Sequence, residues 1–114
     1  MKIREIVSLV NGTLLCGEAL LDEEQSYAFA SDLMSDVLTV KTNNFLLITG
    51  LANPQSIRTA EMSDVKCVLL VRGKQVPQDM LELAQEADMA LITCSFSMFK
   101  TAGILYSAGL KPVY

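Results

Sequence analysis

Three apolar runs constrain this chain more than anything else in it: "FLLITG" (45–50), "CVLLV" (67–71) and "MALIT" (89–93). Each is too short for a helix and lacks the polar alternation of a half-exposed strand. Each therefore predicts a strand buried on both faces. Helix signals stand between them. "NPQSIRTAEMSD" (53–64) offers Asn53 as a cap and Pro54 at the first helical position, where a missing N–H costs nothing. "PQDMLELAQEA" (77–87) repeats the device, with Pro77 opening the helix and Met80, Leu83, Ala84 and Ala87 on one face. "FSMFKTAGILYSA" (96–108) is the last helix, capped by Ser95 or Ser97 and ended by Gly109, with Pro112 beyond. This rhythm predicts an α/β domain with a mostly parallel sheet and right-handed crossovers.

The N-terminal part adds to that frame. "KIREIVSLV" (2–10) places Ile3, Ile6, Val7 and Val10 at helical spacing, and Asn11-Gly12 ends the helix. "TLLC" (13–16) reads as a short strand and "GEALLDEEQ" (17–25) as a solvated acidic loop. "YAFAS" (27–31) reads as a strand leading into a helix over "DLMSDVLTV" (32–40), with Ser31 or Asp32 as its N-cap. The expectation is one domain over residues 1–114, with about four or five strands flanked by helices.

Charge and composition exclude several roles. The chain has 13 acidic and nine scattered basic residues, a net charge of −4. Nucleic-acid binders present a basic stripe, and none is visible, so no nucleic-acid partner is expected. No apolar run approaches the roughly 18 residues of a membrane span, and no membrane partner is expected. The N-terminus does not read as a signal peptide. The 51% hydrophobic content is high for 114 residues, which points the surplus apolar surface toward a second copy of the chain. Three widely spaced cysteines suit reduced, buried thiols in a cytoplasmic protein.

In open α/β sheets, ligands sit beyond the carboxyl ends of the strands. Here those ends carry Ser31 and Asp32; Thr49, Gly50 and Asn53; Arg72, Gly73 and Lys74; and Thr93, Cys94, Ser95 and Ser97. Hydroxyls, helix-start amides and two cations along one rim form a candidate site for a small anion. The same residue types serve as ordinary caps and turns, and the sequence leaves both readings open. Arg72-Gly73-Lys74 is no P-loop, because neither the G-x-x-x-x-G-K spacing nor the hydroxyl after the lysine is present.

Other chemistries lack their residues. There is no histidine, which removes the usual general base and the commonest transition-metal ligand. The cysteines have no C-x-x-C spacing, no G-x-G-x-x-G fingerprint occurs, and the acidic cluster Glu18, Asp22, Glu23 and Glu24 has no calcium-loop spacing. Neither catalytic residues, nor a metal, nor a cofactor are expected. Cys94, at a strand end beside a helix start, is the one thiol whose ionised form could be favoured; burial is the alternative. The methionines at 34, 62, 80, 89 and 98 read mostly as core or interface filler.

From Tyr27 to Ile104 the chain resembles the DRTGG domain, and also the N-terminal domain of HPr kinase/phosphorylase. The resemblance rests on the order "ASDLMSDVL", "FLLITG" with its helix, "CVLLVRGKQVPQDMLELAQEADMALIT" and "SFSMFKTAGIL". The chain departs from the family's signature. Gly50-Leu51-Ala52 stands where Gly-Asp-Arg is common, and Val71-Arg72-Gly73 where Thr-Gly-Gly is common. Only Gly50 and Gly73 remain of those positions. The resemblance implies a regulatory module, often fused to phosphotransacetylase or CBS domains and tending to pair as dimers. It implies no kinase chemistry, which resides in a separate P-loop domain of the kinase. The functional expectation is thus a non-enzymatic homodimer that binds a partner protein and a small phosphorylated ligand or nucleotide at the rim. The alternative is a structural interaction domain with no small-molecule ligand.

Overall fold

All three apolar runs form strands at the centre of one six-stranded sheet. The structure, a computed structural model, describes residues 1–114 throughout. Its strands are β1 (Thr13–Cys16), β2 (Tyr27–Ala30), β3 (Leu46–Thr49), β4 (Cys67–Leu70), β5 (Ala90–Thr93) and β6 (Lys111–Pro112). Its α-helices are α1 (Ile3–Leu9), α2 (Met34–Val37), α3 (Pro54–Met62), α4 (Gln78–Glu86) and α5 (Met98–Ser107).

The strand order is β1-β5-β4-β3-β2-β6. Strands β2 to β5 run parallel and step across the sheet in one direction. With right-handed crossovers that step puts α2, α3 and α4 on one face. The chain then returns from β5 to β6 at the far edge, where β6 pairs parallel with β2, and this reversal puts α5 on the opposite face beside α1. β1 closes the other edge, antiparallel to β5, with an irregularity between Leu14 and Cys16.

Alternation along each central strand feeds two cores. Leu47, Val68, Leu70 and Leu91 pack with Met34, Ile57, Ala60, Met80 and Ala84 from α2, α3 and α4. Leu46, Ile48, Leu69 and Ile92 pack with Ile3, Ile6 and Leu105 from α1 and α5. Each of the buried valines, leucines, isoleucines and methionines contributes about 1.5–3 kcal/mol, and burial on both faces is why these runs carry no polar alternation.

Four expectations need correction. The sheet has six strands; β6 was hidden because Lys111–Pro112 is too short and too polar to carry a pattern. The helix expected over 32–40 is only Met34–Val37, and Leu33 takes the cap position. Asp32 is not its cap, because the carboxylate turns away to the end of β3, and at the other end the helix stops at Val37 with Leu38 as C-cap. Pro77 is the N-cap of α4, with extended backbone, and Gln78 is the first helical residue. The acidic segment contains a 3-10 turn at Glu18–Leu20 and is tied to α1, since Arg4 hydrogen-bonds Asp22 at 3.2 Å and the Met1 ammonium meets Glu24 at 2.8 Å. Those cations hold the Asp22 and Glu24 carboxyls below their ordinary range. Among the methionines, Met34, Met80 and Met89 are core residues, whereas Met62 is exposed on α3.

Candidate functional site

Parallel register brings the carboxyl ends of β2 to β5 to one edge: Ala30 pairs with Ile48, Thr49 with Leu70, and Leu70 with Thr93. Asp32, Gly50, Arg72 and Ser95 therefore leave the sheet side by side. Asp32 is the hub. Its Oδ1 accepts the Gly50 N–H at 2.6 Å and the Thr49 hydroxyl at 3.2 Å, while its Oδ2 lies 3.5 Å from Arg72 Nη2. The Thr49 oxygen in turn accepts the Leu51 N–H at 3.2 Å. One carboxylate thus ties together the ends of β2, β3 and β4.

Arg72 sits in an unusual backbone. Its φ is 70° and that of Gly73 is 63°, so two successive residues adopt the left-handed region. Gly73 does so freely; for Arg72 the Cβ penalty is on the order of 1 kcal/mol. The turn persists because the Arg72 N–H donates to the Phe96 carbonyl at 2.8 Å and the Gly73 N–H to the Cys94 carbonyl at 3.0 Å. Both amides are engaged, so the turn offers no backbone cradle of the P-loop kind. What it offers is a guanidinium, half exposed and held by a single 3.5 Å contact. Lys74 stands next to it, exposed and outside the four ion pairs.

The other rim residues divide. Ser31 accepts the Leu33 N–H at 3.0 Å and shapes the turn before α2. Asn53 caps α3, accepting the Gln55 N–H at 2.9 Å, and Ser97 caps α5, accepting the Lys100 N–H at 3.1 Å. Ser95 is not the cap; it is exposed, its Cα 3.9 Å from where a Gly73 Cβ would stand. Asp32, Thr49, Gly50 and Arg72 form one contact cluster, with Gly73, Lys74 and Ser95 along its border and Ser31 and Asn53 in local caps.

None of the thiols is placed as a nucleophile. All three are free and buried. Burial, with a smaller contribution from the nearby Cys16 thiol, pushes Cys67 up to about 12, and burial raises Cys16 as well. Cys94 Sγ lies 3.5 Å from the Thr101 hydroxyl inside the sheet–α5 core. No group of three or more Cys, Asp or Glu side chains converges as a metal site, and no helix is long and apolar enough to cross a membrane.

Sequence reasoning missed two surfaces. An apolar groove of about 310 Å³ runs between β2, β6 and α5, lined by Phe29, Tyr106, Leu110 and Tyr114 among others. A second depression, of about 420 Å³, lies between Leu15–Leu20 and the end of α4. Neither touches Asp32, Gly50 or Arg72. The groove depends on β6, whose brevity hid it. Tyr106 on α5 and Tyr114 at the chain's end, exposed aromatics that line it, were the available signal.

The comparisons fit this architecture. In a crystal structure of the CBS and DRTGG domains of the regulatory region of Clostridium perfringens pyrophosphatase, complexed with its activator diadenosine tetraphosphate, the fold superposes with a TM-score of 0.73 at 13% sequence identity. The match covers 98% of this chain and 48% of that one, so the chain spans about half the length of that regulatory region. No curated protein sequence matches the chain. The family model described as "DRTGG domain" matches residues 5–108, nearly the whole length. The chain belongs to the DRTGG domain family.

Proposed function

We propose that this chain is a non-catalytic regulatory module that senses a small phosphorylated ligand or nucleotide at the Asp32–Arg72 rim and passes the state to a partner protein, working as a cytoplasmic homodimer. One observation carries the reading. A strained, half-exposed arginine is kept at the meeting point of three strand ends, where a glycine would fit the backbone better. Its only partner is a carboxylate that also holds Gly50 and Thr49. An entering phosphate competes with Asp32 for the guanidinium, because a bidentate arginine–phosphate contact is stronger than a single 3.5 Å ion pair. Capture of Arg72 then releases the end of β4 from Asp32, whose Oδ1 still holds the end of β3, and the freed turn is a signal a partner surface can read.

The pyrophosphatase region of similar fold takes a dinucleotide activator, which makes a nucleotide the first ligand class to try. Three free thiols suit a reducing compartment. Kinship with the N-terminal domain of HPr kinase/phosphorylase belongs to the same reading, as does the assignment of residues 1–114 to a single domain. A second reading, a structural interaction domain with no small ligand, draws on the number of rim groups already engaged by their own chain: Ser31, Asn53 and Ser97 all serve as caps or turn anchors.

A thermal-shift screen against nucleoside phosphates, diadenosine tetraphosphate and inorganic phosphate separates the two. A ligand at a hundred times its Kd adds about 2.7 kcal/mol of stability. A shift present in the native chain and absent in Arg72→Gly supports the sensor. No shift across the panel leaves the structural reading.

A further inference from the structure

The proposed function leaves open how two copies meet, and the following rests on its homodimer component. Helix α5 carries a stripe that its own chain does not cover. Phe99 is 91% exposed and Tyr106 69% exposed, and they lie seven residues apart on one face. Two turns of helix separate them by about 10.5 Å. Midway between them stand Ala102 and Gly103, and nothing lies within 4 Å of where a Gly103 Cβ would be. Beside Tyr106 opens the apolar groove, bordered by Leu110 and by Tyr114, which is 91% exposed and leans on Phe29 at 6.1 Å. The helical stripe itself carries no charge: Lys100 folds onto its own chain with Nζ 3.9 Å from the centre of the Phe96 ring, and the one charged residue lining the groove is Lys111 on its β6 side.

We infer that two copies pair through antiparallel α5 helices across a two-fold axis at Ala102–Gly103, each Phe99 entering the groove beside Tyr106 of the other copy. The spacing is self-complementary. An axis between residues 102 and 103 sets Phe99 opposite Tyr106 in both directions, as an isologous interface requires. Small residues at the axis allow the helices to approach within the usual 8–10 Å. The area is sufficient. At about 200 Å² per aromatic side chain, Phe99, Tyr106 and Tyr114 expose roughly 500 Å² per copy, so pairing covers roughly 1,000 Å², the threshold for a specific interface. Extension of the sheet at this edge is a poor alternative, because β6 is only Lys111–Pro112 and Pro112 has no N–H to donate.

Light scattering coupled to size exclusion tests it on the native chain, Phe99→Asp and Gly103→Cys, with Gln85→Cys on exposed α4 as a control. The expected result is a native dimer whose Kd rises about 30-fold or more in Phe99→Asp, with the melting of each Phe99→Asp monomer unimpaired. Mild copper-phenanthroline oxidation should link Gly103→Cys into a covalent dimer and leave Gln85→Cys unlinked. A native dimer indifferent to Phe99→Asp and not linked through Gly103→Cys overturns the α5 interface while the homodimer survives. A native chain that stays monomeric to millimolar concentration overturns both.

Discussion

The guanidinium of Arg72 lies on the backbone of Gly50, so closely that a Cβ at Gly50 would stand 2.6 Å from Nη2. The end of β3 has to be bare for the arginine of the next strand end to reach Asp32. Two glycines serve this one side chain. Gly50 gives Arg72 room, and Gly73 completes the turn that aims it.

Gly50→Ala should therefore displace Arg72 without unfolding the domain. Its φ lies outside the left-handed region and the clash is with the tip of a flexible side chain, so the cost should stay below about 1 kcal/mol. In a double-mutant cycle with Arg72→Ala the two effects should fail to add, since each removes the same contact. Additive urea midpoints would mean that the guanidinium does not rest there in solution.

Arg72→Gly exchanges a loose, half-exposed ion pair for an unstrained turn. Relief of the left-handed strain is worth on the order of 1 kcal/mol and loss of the exposed pair costs about as much or less. Chemical denaturation should find stability unchanged or slightly raised. A clear loss would assign Arg72 a structural role.

Asp32→Ala should be the costly change at the rim. It strips the acceptor from the Gly50 N–H and from the hydroxyl of fully buried Thr49. Hydrogen bonds to a charged acceptor support a loss of about 2 kcal/mol. Asp32→Asn retains an acceptor oxygen in place and should lose less than half of that, as read from melting or urea curves.

Buried thiols give the stability a slope in alkali. The native Cys67 thiol stays protonated to about pH 12, whereas in the unfolded chain it ionises near its ordinary 9.0. The unfolded state releases its proton first, so stability is full below pH 9 and falls as pH rises toward 12, at up to about 1.4 kcal/mol per pH unit. Urea midpoints between pH 8 and 10.5 should fall more steeply for the native chain than for Cys67→Ala. Parallel slopes would contradict the burial of that thiol.

How much of this was legible in the sequence follows from range. The runs at 45–50, 67–71 and 89–93 declare themselves because a strand buried on two faces needs every residue apolar. Asn53 and Ser97 are readable because caps act within three residues. Asp32 misleads for the same reason: next to a helix start it looks like a cap, and only the register of β2 against β3 shows that its carboxylate reaches Gly50. The left-handed backbone of Arg72 is invisible in a residue type that rarely adopts it. β6 exists only because α5 carries the chain back to β2, a tertiary cause with no local pattern.

The most direct test of the sensor account is a ¹⁵N–¹H NMR titration of the native chain with diadenosine tetraphosphate and with ATP. The account predicts saturable shifts concentrated at the amides of Gly50, Gly73, Lys74 and Ser95 and at the Arg72 side chain, lost in Arg72→Gly. Shifts confined to the Phe29–Tyr114 groove, or none at millimolar ligand, would contradict it.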